Sequence, residues 1–403
     1  MTYAVINCLF FLFLFIFHRN KGRKLDIYRI IVLLYLTTAV LCVINYTQNS
    51  YRWPDLSLLP FIYMFVVLLI LFYPFKHFDL SSKETVWVDT KALYLLGWLF
   101  IALSVVEVYL SYNDIVEKFV SGEWGRLRSE LYADEGDIVY YRNIWEKLIK
   151  NILSYLHPFA VVYAFFQATN PDRKLFTVLL FLSIVSATFI SASVVASRGI
   201  VFNQSMELVL GFMLFRDKIP SKIKKIVVTG GTAIISLFFI YAIIVSFSRF
   251  GEDETGSSLF SYFGHSMLYF NDGLFNHMHD FAYGKRFFAW FIDLFGGNSS
   301  FDVAKAGSTH GSAFFTIVGS LFTDWGVVGT VIVAIIACLL ICKFTQKKVI
   351  RLSDMVIIMF YINTLSGGIF AYGVSRGLQW VMTFVVYFIV RALEKQQKMY
   401  SLK

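Results

Sequence analysis

The sequence predicts an all-α protein that crosses a membrane about eleven times. Three observations carry this expectation. Of 403 residues, 57% are hydrophobic and 18% aromatic, far more apolar surface than a water-soluble domain hides. The apolar residues come in runs long enough for a hydrocarbon layer of about 30 Å. Charged residues gather in short clusters between those runs, where they orient a membrane protein.

The runs fall near 2–17, 27–44, 58–74, 92–112, 148–168, 175–195, 199–215, 226–247, 313–342, 355–372 and 377–393. The first raises the question of a signal peptide. Its basic residues Arg19, Lys21, Arg23 and Lys24 follow the run, and no small-residue cleavage site is present, so a retained span with an outside N-terminus is expected. The ninth is too long for a simple span. The stretch TDWGVVG, Thr323 to Gly329, is expected to break it, because glycines at depth are tolerated where neighbouring protein satisfies the backbone.

The connections then alternate. HRNKGRK, KHFDLSSKE, NPDRK, RDKIPSKIKK, KFTQKKVIR and the tail RALEKQQKMYSLK fall on one side, which the positive-inside rule makes cytoplasmic, together with the C-terminus. The other side receives 45–57, 113–147, a turn at Ser197–Arg198, the segment 248–312 and a turn at Gly373 to Arg376. Residues 1–403 read as a single integral membrane domain with two large outer loops.

The formal charge of +9 does not indicate nucleic acid, since the basic residues form no single face. Cys8, Cys42, Cys338 and Cys342 all lie within apolar runs, as small hydrophobes do. No disulfide framework is expected.

The dipeptide Ser-Arg recurs at Arg198, Arg249 and Arg376, each at an outer span end. An arginine there runs against the sorting rule and is costly near lipid unless it snorkels or meets a partner. Snorkelling to headgroups accounts for any one of them; three beside two long outer loops point to an anion site.

Of those loops, 113–147 carries an apolar stripe at helical spacing, Val116, Phe119, Val120, Trp124, Leu127 and Leu131. This reads as an interfacial amphipathic helix. Arg126, Arg128 and Arg142 would face headgroups or a lipid-linked phosphate, or simply solvent. The segment 248–312 interleaves aromatic rings with Asn, Asp and His, a composition suited to carbohydrate and equally to a packed lid. Within it, HMHD offers His277, His279 and Asp280 but no third placed ligand, so no metal is expected. No cofactor motif is visible. The short inner loops show no nucleotide-sugar cradle. If the chain is an enzyme, its activated substrate is therefore expected to arrive through the membrane, as a polyprenyl diphosphate.

Three stretches then carry a family likeness: SASVVASRG closing one span, SRFGED opening the main outer loop, and GSAFFTIVGSLFTDWGVVGTVIVAIIACLLI. With about eleven spans and two large outer loops, the chain resembles the bacterial O-antigen polymerases (Wzy), the oligosaccharide repeat-unit polymerases. The likeness covers most of the chain by topology and Ser191 to Ala337 by motif. It implies a glycosyltransferase-C-like membrane fold in the bacterial inner membrane and metal-independent chemistry on the periplasmic face. The growing glycan on undecaprenyl diphosphate would be the donor and a lipid-linked repeat unit the acceptor, with a chain-length regulator as partner. Outer-loop arginines are held essential in that family, and Arg198, Arg249 and Arg376 fit that role.

Such a transfer needs cations for the leaving diphosphate, which Arg meets bidentately. Arg198, Arg249 and Arg376 are the expected clamp, with Lys285 or Arg286 as auxiliaries. His310 in GSTHGS is the first choice of base for the acceptor hydroxyl, ahead of Glu252, Asp253 or Glu254. Asp324 would orient an arginine or cap the broken helix. The rivals are a lipid-linked oligosaccharide flippase, an O-antigen ligase and an extracytoplasmic sensor or scaffold. A flippase is expected to carry charges along a central cavity and internal repeats; in this sequence charges collect at outer span ends and no repeat is seen.

Overall fold

The computed structural model describes the chain apart from residues 19–25, 87–89, 122–143, 171–173, 195–196, 310–314, 371–375 and 401–403, and the side chains of 114, 118, 119, 248–262, 376 and 396–400. In order, the helices are α1 (Thr2–Phe17), α2 (Ile27–Gln48), α3 (Leu58–Phe72), α4 (Lys91–Ser121), α5 (Ile144–Ala168), α6 (Lys174–Val194), α7 (Arg198–Phe215), α8 (Ser221–Leu268), α9 (Ala289–Leu294), α10 (Thr316–Thr345), α11 (Leu352–Gly367) and α12 (Arg376–Tyr400). Two short strands, β1 (Glu84–Val86) and β2 (Val349–Arg351), pair in parallel.

The protein is an all-α polytopic membrane protein. Among the described residues, eight helices are long and apolar enough to cross a bilayer, α3 together with the helical turns that carry it on to Ser82. The other three apolar runs also fold as helices but differ in kind. α1 and α11 have 16 residues each, about 24 Å at 1.5 Å per residue, short of a full hydrocarbon layer. α7 carries Arg198 and Glu207 within its 18 residues, which lowers its apolar character.

The chain divides into two compact units. Unit 1 comprises Met1–Asp79, Gly256–Lys347 and Tyr361–Val381; unit 2 comprises Leu80–Thr255, Lys348–Phe360 and Met382–Lys403.

In unit 1, α1 packs on α2, and α3 on α10. Phe11, Tyr35 and Phe72 interlock edge and face at its centre. Buried tyrosines need partners for their hydroxyls. Tyr35 donates to the Leu365 carbonyl at 3.0 Å and Tyr361 to the Leu71 carbonyl at 2.9 Å.

The segment expected to leave the membrane as a loop at 248 remains helical to Leu268 and then widens into a π-helical stretch, Tyr269–Phe275. Met267, Leu268, Phe270 and Leu274 are fully buried there. Gly264 packs so tightly on the Leu41 carbonyl that a Cβ would collide with it. For these rings, core packing holds over display to a sugar.

In unit 2, α6 lies against α4, α5 and α7. Gly97 and Gly211 make room for the rings of Phe176 and Phe165. Ala192, Val201, Phe238, Tyr241 and Val245 form an apolar cluster joining α6, α7 and α8.

Candidate functional site

The break expected at TDWGVVG falls at Gly326, whose backbone (φ 67°, ψ −171°) leaves the helical region inside α10. An interrupted helix frees carbonyls that need donors. The strap 282–287 supplies them: Ala282 N–H donates to the Thr323 carbonyl at 3.0 Å and Gly284 N–H to the Asp324 carbonyl at 3.2 Å. Gly284 adopts φ +87°, and a Cβ there would strike the Trp325 ring.

Asp324 faces the strap with both carboxylate oxygens, accepting from Arg286 N–H at 3.2 Å and Phe287 N–H at 2.8 Å. The Arg286 guanidinium donates through Nη1 to Thr323 Oγ1 at 2.5 Å and lies 5.6 Å from the centre of the Phe315 ring. Burial pulls its pKa below the ordinary value and the Asp324 charge opposes that shift; an arginine nevertheless stays charged.

Gly377 approaches the Phe287 carbonyl so closely that a Cβ would collide with it. This brings the first turn of α12, which Arg376 opens, against the strap. Unit 1 thus juxtaposes Arg286, Asp324 and the Arg376 backbone. Lys285 is exposed beside them.

Arg198 belongs to unit 2. It is 5% exposed and donates through Nη1 to Ser246 Oγ of α8 at 2.8 Å. Arg249 lies three residues further along α8. The three Ser-Arg arginines therefore divide: Arg198 and Arg249 in one unit, Arg376 with Arg286 in the other. The side chains of Arg249, Glu252, Asp253, Glu254 and Arg376 lie outside the described residues, as do Arg126, Arg128, Arg142 and His310 altogether.

Unit 2 also holds a polar cluster absent from the expectations. His157 Nε2 of α5 sits 3.0 Å from Glu207 Oε2 of α7, with Glu207 1% exposed. Thr188 of α6 donates to Gln204 Oε1 at 3.0 Å. Glu107 of α4 is 2% exposed, and neither carboxylate oxygen has a hydrogen-bond partner among the described residues; His157, Lys150 and Glu146 act on it electrostatically. The expectation that charges collect at outer span ends is corrected here. Four helices bring ionisable, amide and hydroxyl groups together within apolar runs. The signal was present, because 92–112, 148–168 and 199–215 each contain an ionisable residue, and such residues inside a span mark function by default.

Among the described residues, Asp55, Asp272 and His277 place one ligand atom each within 4.8 Å of one another, so this is the set able to hold a metal. Its members also serve the 55–57 turn. Asp272 Oδ1 accepts from Asp55 N–H at 2.9 Å, and His277 Nε2 lies 3.4 Å from Asp55 Oδ2. Neighbouring Asn271 accepts from Ser57 N–H and donates to the Ser57 carbonyl. His277 thus finds its acidic neighbours from distant sequence. His279 packs instead on Gly307, and Asp280 accepts from Phe281 N–H.

Comparison of the chain with family models, curated proteins and solved structures finds no match in any of the three.

Proposed function

We propose that the protein polymerises lipid-linked oligosaccharide repeat units by glycosyl transfer, with a lipid diphosphate as leaving group. The observation that carries this reading is Arg286. It is held against a broken membrane helix by Thr323 and Asp324, beside the first turn of the helix that Arg376 opens. A cation whose position is fixed in advance, in a partly desolvated setting, suits charge that develops on a departing diphosphate. Arg is the fitting residue because its planar fork meets two phosphate oxygens at once.

On this reading the chain has about eleven spans, an outside N-terminus, a cytoplasmic C-terminus and two large periplasmic loops, in a glycosyltransferase-C-like arrangement in the bacterial inner membrane. Arg286 and Arg376 hold the diphosphate, with Lys285 at the rim. Arg198 and Arg249 form a second basic pair, with Arg128 in the amphipathic loop. His310 takes the acceptor proton, with Glu252 and Asp253 as alternative acceptors. A chain-length regulator is the expected protein partner, and the product is O-antigen or capsular polysaccharide.

A second reading, a flippase for lipid-linked oligosaccharides, is favoured by the buried Glu107 and Glu207 and the half-buried His157, ionisable groups within helices of the kind that mark transport pathways. Purified protein incubated with lipid-linked repeat units separates the readings. A ladder of products supports polymerisation. Transfer only to a lipid core identifies a ligase. Unchanged substrate together with movement of labelled lipid across vesicles identifies a flippase.

A further inference from the structure

Unit 2 contains an elongated cavity of about 610 Å³, within the range of small-molecule sites. It runs along the N-terminal half of α8, facing α5, α6 and α7. From Ser221 to Leu237 no residue of α8 is buried, whereas Phe238, Tyr241 and Val245 beyond it pack on α6 and α7. This uncovered stretch is what opens the groove. Phe181, Phe212, Ile226 and Ile235 give it apolar walls. Gly230 and Gly231 line it, and a Cβ on either would meet nothing within 4 Å.

The charged groups are confined to one end, while Thr177 and Thr232 add hydroxyls along the walls. Lys174 opens α6, Lys222 lies in the first turn of α8, and Asn170 lies two residues past the end of α5. From Lys222 to Ile235 is 13 residues of helix, about 20 Å. One leaflet of a hydrocarbon core about 30 Å thick offers about 15 Å. The groove therefore spans the hydrocarbon of one leaflet with about 5 Å over at the lysine end, where a lipid's phosphate would lie.

We infer that this groove is a specific site for one anionic phospholipid, its acyl chain along α8 and its phosphodiester between Lys174 and Lys222. The charge at a single end decides the class of occupant. A zwitterionic lipid brings its own cation to that end, whereas a singly anionic headgroup complements the lysines. The leaflet-length channel suits an acyl chain and is too short for a polyprenyl tail. The site goes beyond the proposed glycosyl transfer, because it uses none of the residues assigned to it.

Native mass spectrometry of the full-length detergent-purified protein, mixed with phosphatidylglycerol or phosphatidylcholine of identical chains, tests the site. The expected result is one phosphatidylglycerol retained in preference to phosphatidylcholine. Lys174→Gln and Lys222→Gln should each lower retention about fivefold, the effect of one basic side chain near an anionic surface. Gly231→Leu, which fills open space, should abolish retention while circular dichroism is unchanged. Equal retention of both lipids by the wild type would overturn the inference. So would retention unaffected by the lysine variants, or displacement of the phospholipid by polyprenyl phosphate. The readout is binding alone, so its failure is distinct from failure to form a polymer ladder.

Discussion

The Arg286 strap of unit 1 and the Glu107–His157–Glu207 cluster of unit 2 both place charge in a membrane protein, yet they stabilise it differently. In the strap, main-chain groups do the work. Carbonyls freed at Gly326 accept from Ala282 and Gly284, and one carboxylate accepts two N–H groups. The guanidinium is left with a few defined contacts. In the cluster, side chains from four helices meet one another, and Glu107 has charged neighbours but no hydrogen bond among the described residues. A buried carboxylate without a donor is costly. The strap is therefore a preorganised arrangement, whereas the cluster keeps a buried carboxylate without a donor among the described residues.

That contrast can be broken most forcefully at Glu207. Glu207→Leu strands His157 and should lower stability by about 3–5 kcal/mol, as loss of one member of a buried pair does. The His157→Leu/Glu207→Leu double variant should recover part of that loss, giving a positive coupling energy in thermal or denaturant unfolding. Additive effects would mean the two groups do not act as a pair.

Asp324→Ala removes the acceptor of two N–H groups and should cost about 2–3 kcal/mol. It should also loosen the strap, seen as faster amide exchange at Arg286 and Phe287. Unchanged exchange there would remove Asp324 from its positioning role.

Gly377→Ala forces a methyl group into the Phe287 carbonyl. The expected cost is about 1–3 kcal/mol, the usual range for overpacking, with polymer yield falling in step with strap movement. A neutral Gly377→Ala would detach the Arg376 turn from the strap.

The smallest effect is expected at Ser246→Ala. Arg198 loses one neutral acceptor, worth about 1 kcal/mol, and unfolding midpoints should shift only slightly. A loss several times larger would show that Ser246 secures more than this one bond.

These differences also explain what the sequence made legible. The helical runs, and the break within TDWGVVG, follow from short-range pattern: apolar length, then glycine beside Asp and Trp. Asp324 stood out in the same stretch, as orienting an arginine or capping the broken helix, whereas it accepts the main-chain N–H groups of Arg286 and Phe287. The course of 248–268 was not, because polar SRFGEDETGSS reads as solvent-exposed, while the tight approach of Gly264 to the Leu41 carbonyl depends on a contact more than 200 residues away in sequence. The cluster was hidden by spacing as well. Glu107, His157, Thr188, Gln204 and Glu207 come from four separate runs, and only helix packing shows that they meet. The His277 neighbours Asp55 and Asp272 were missed for the same reason.

The most direct measurement is the rate of ladder formation from lipid-linked repeat units by Arg286→Ala and Arg286→Lys, each compared with wild type at equal amounts of folded protein. The account predicts a loss of about 10² or more for Ala, the usual cost of removing one preorganised charge donor. Lys, which keeps the charge without the planar fork, should restore activity only partly. Polymer synthesis by Arg286→Ala at the wild-type rate would contradict it.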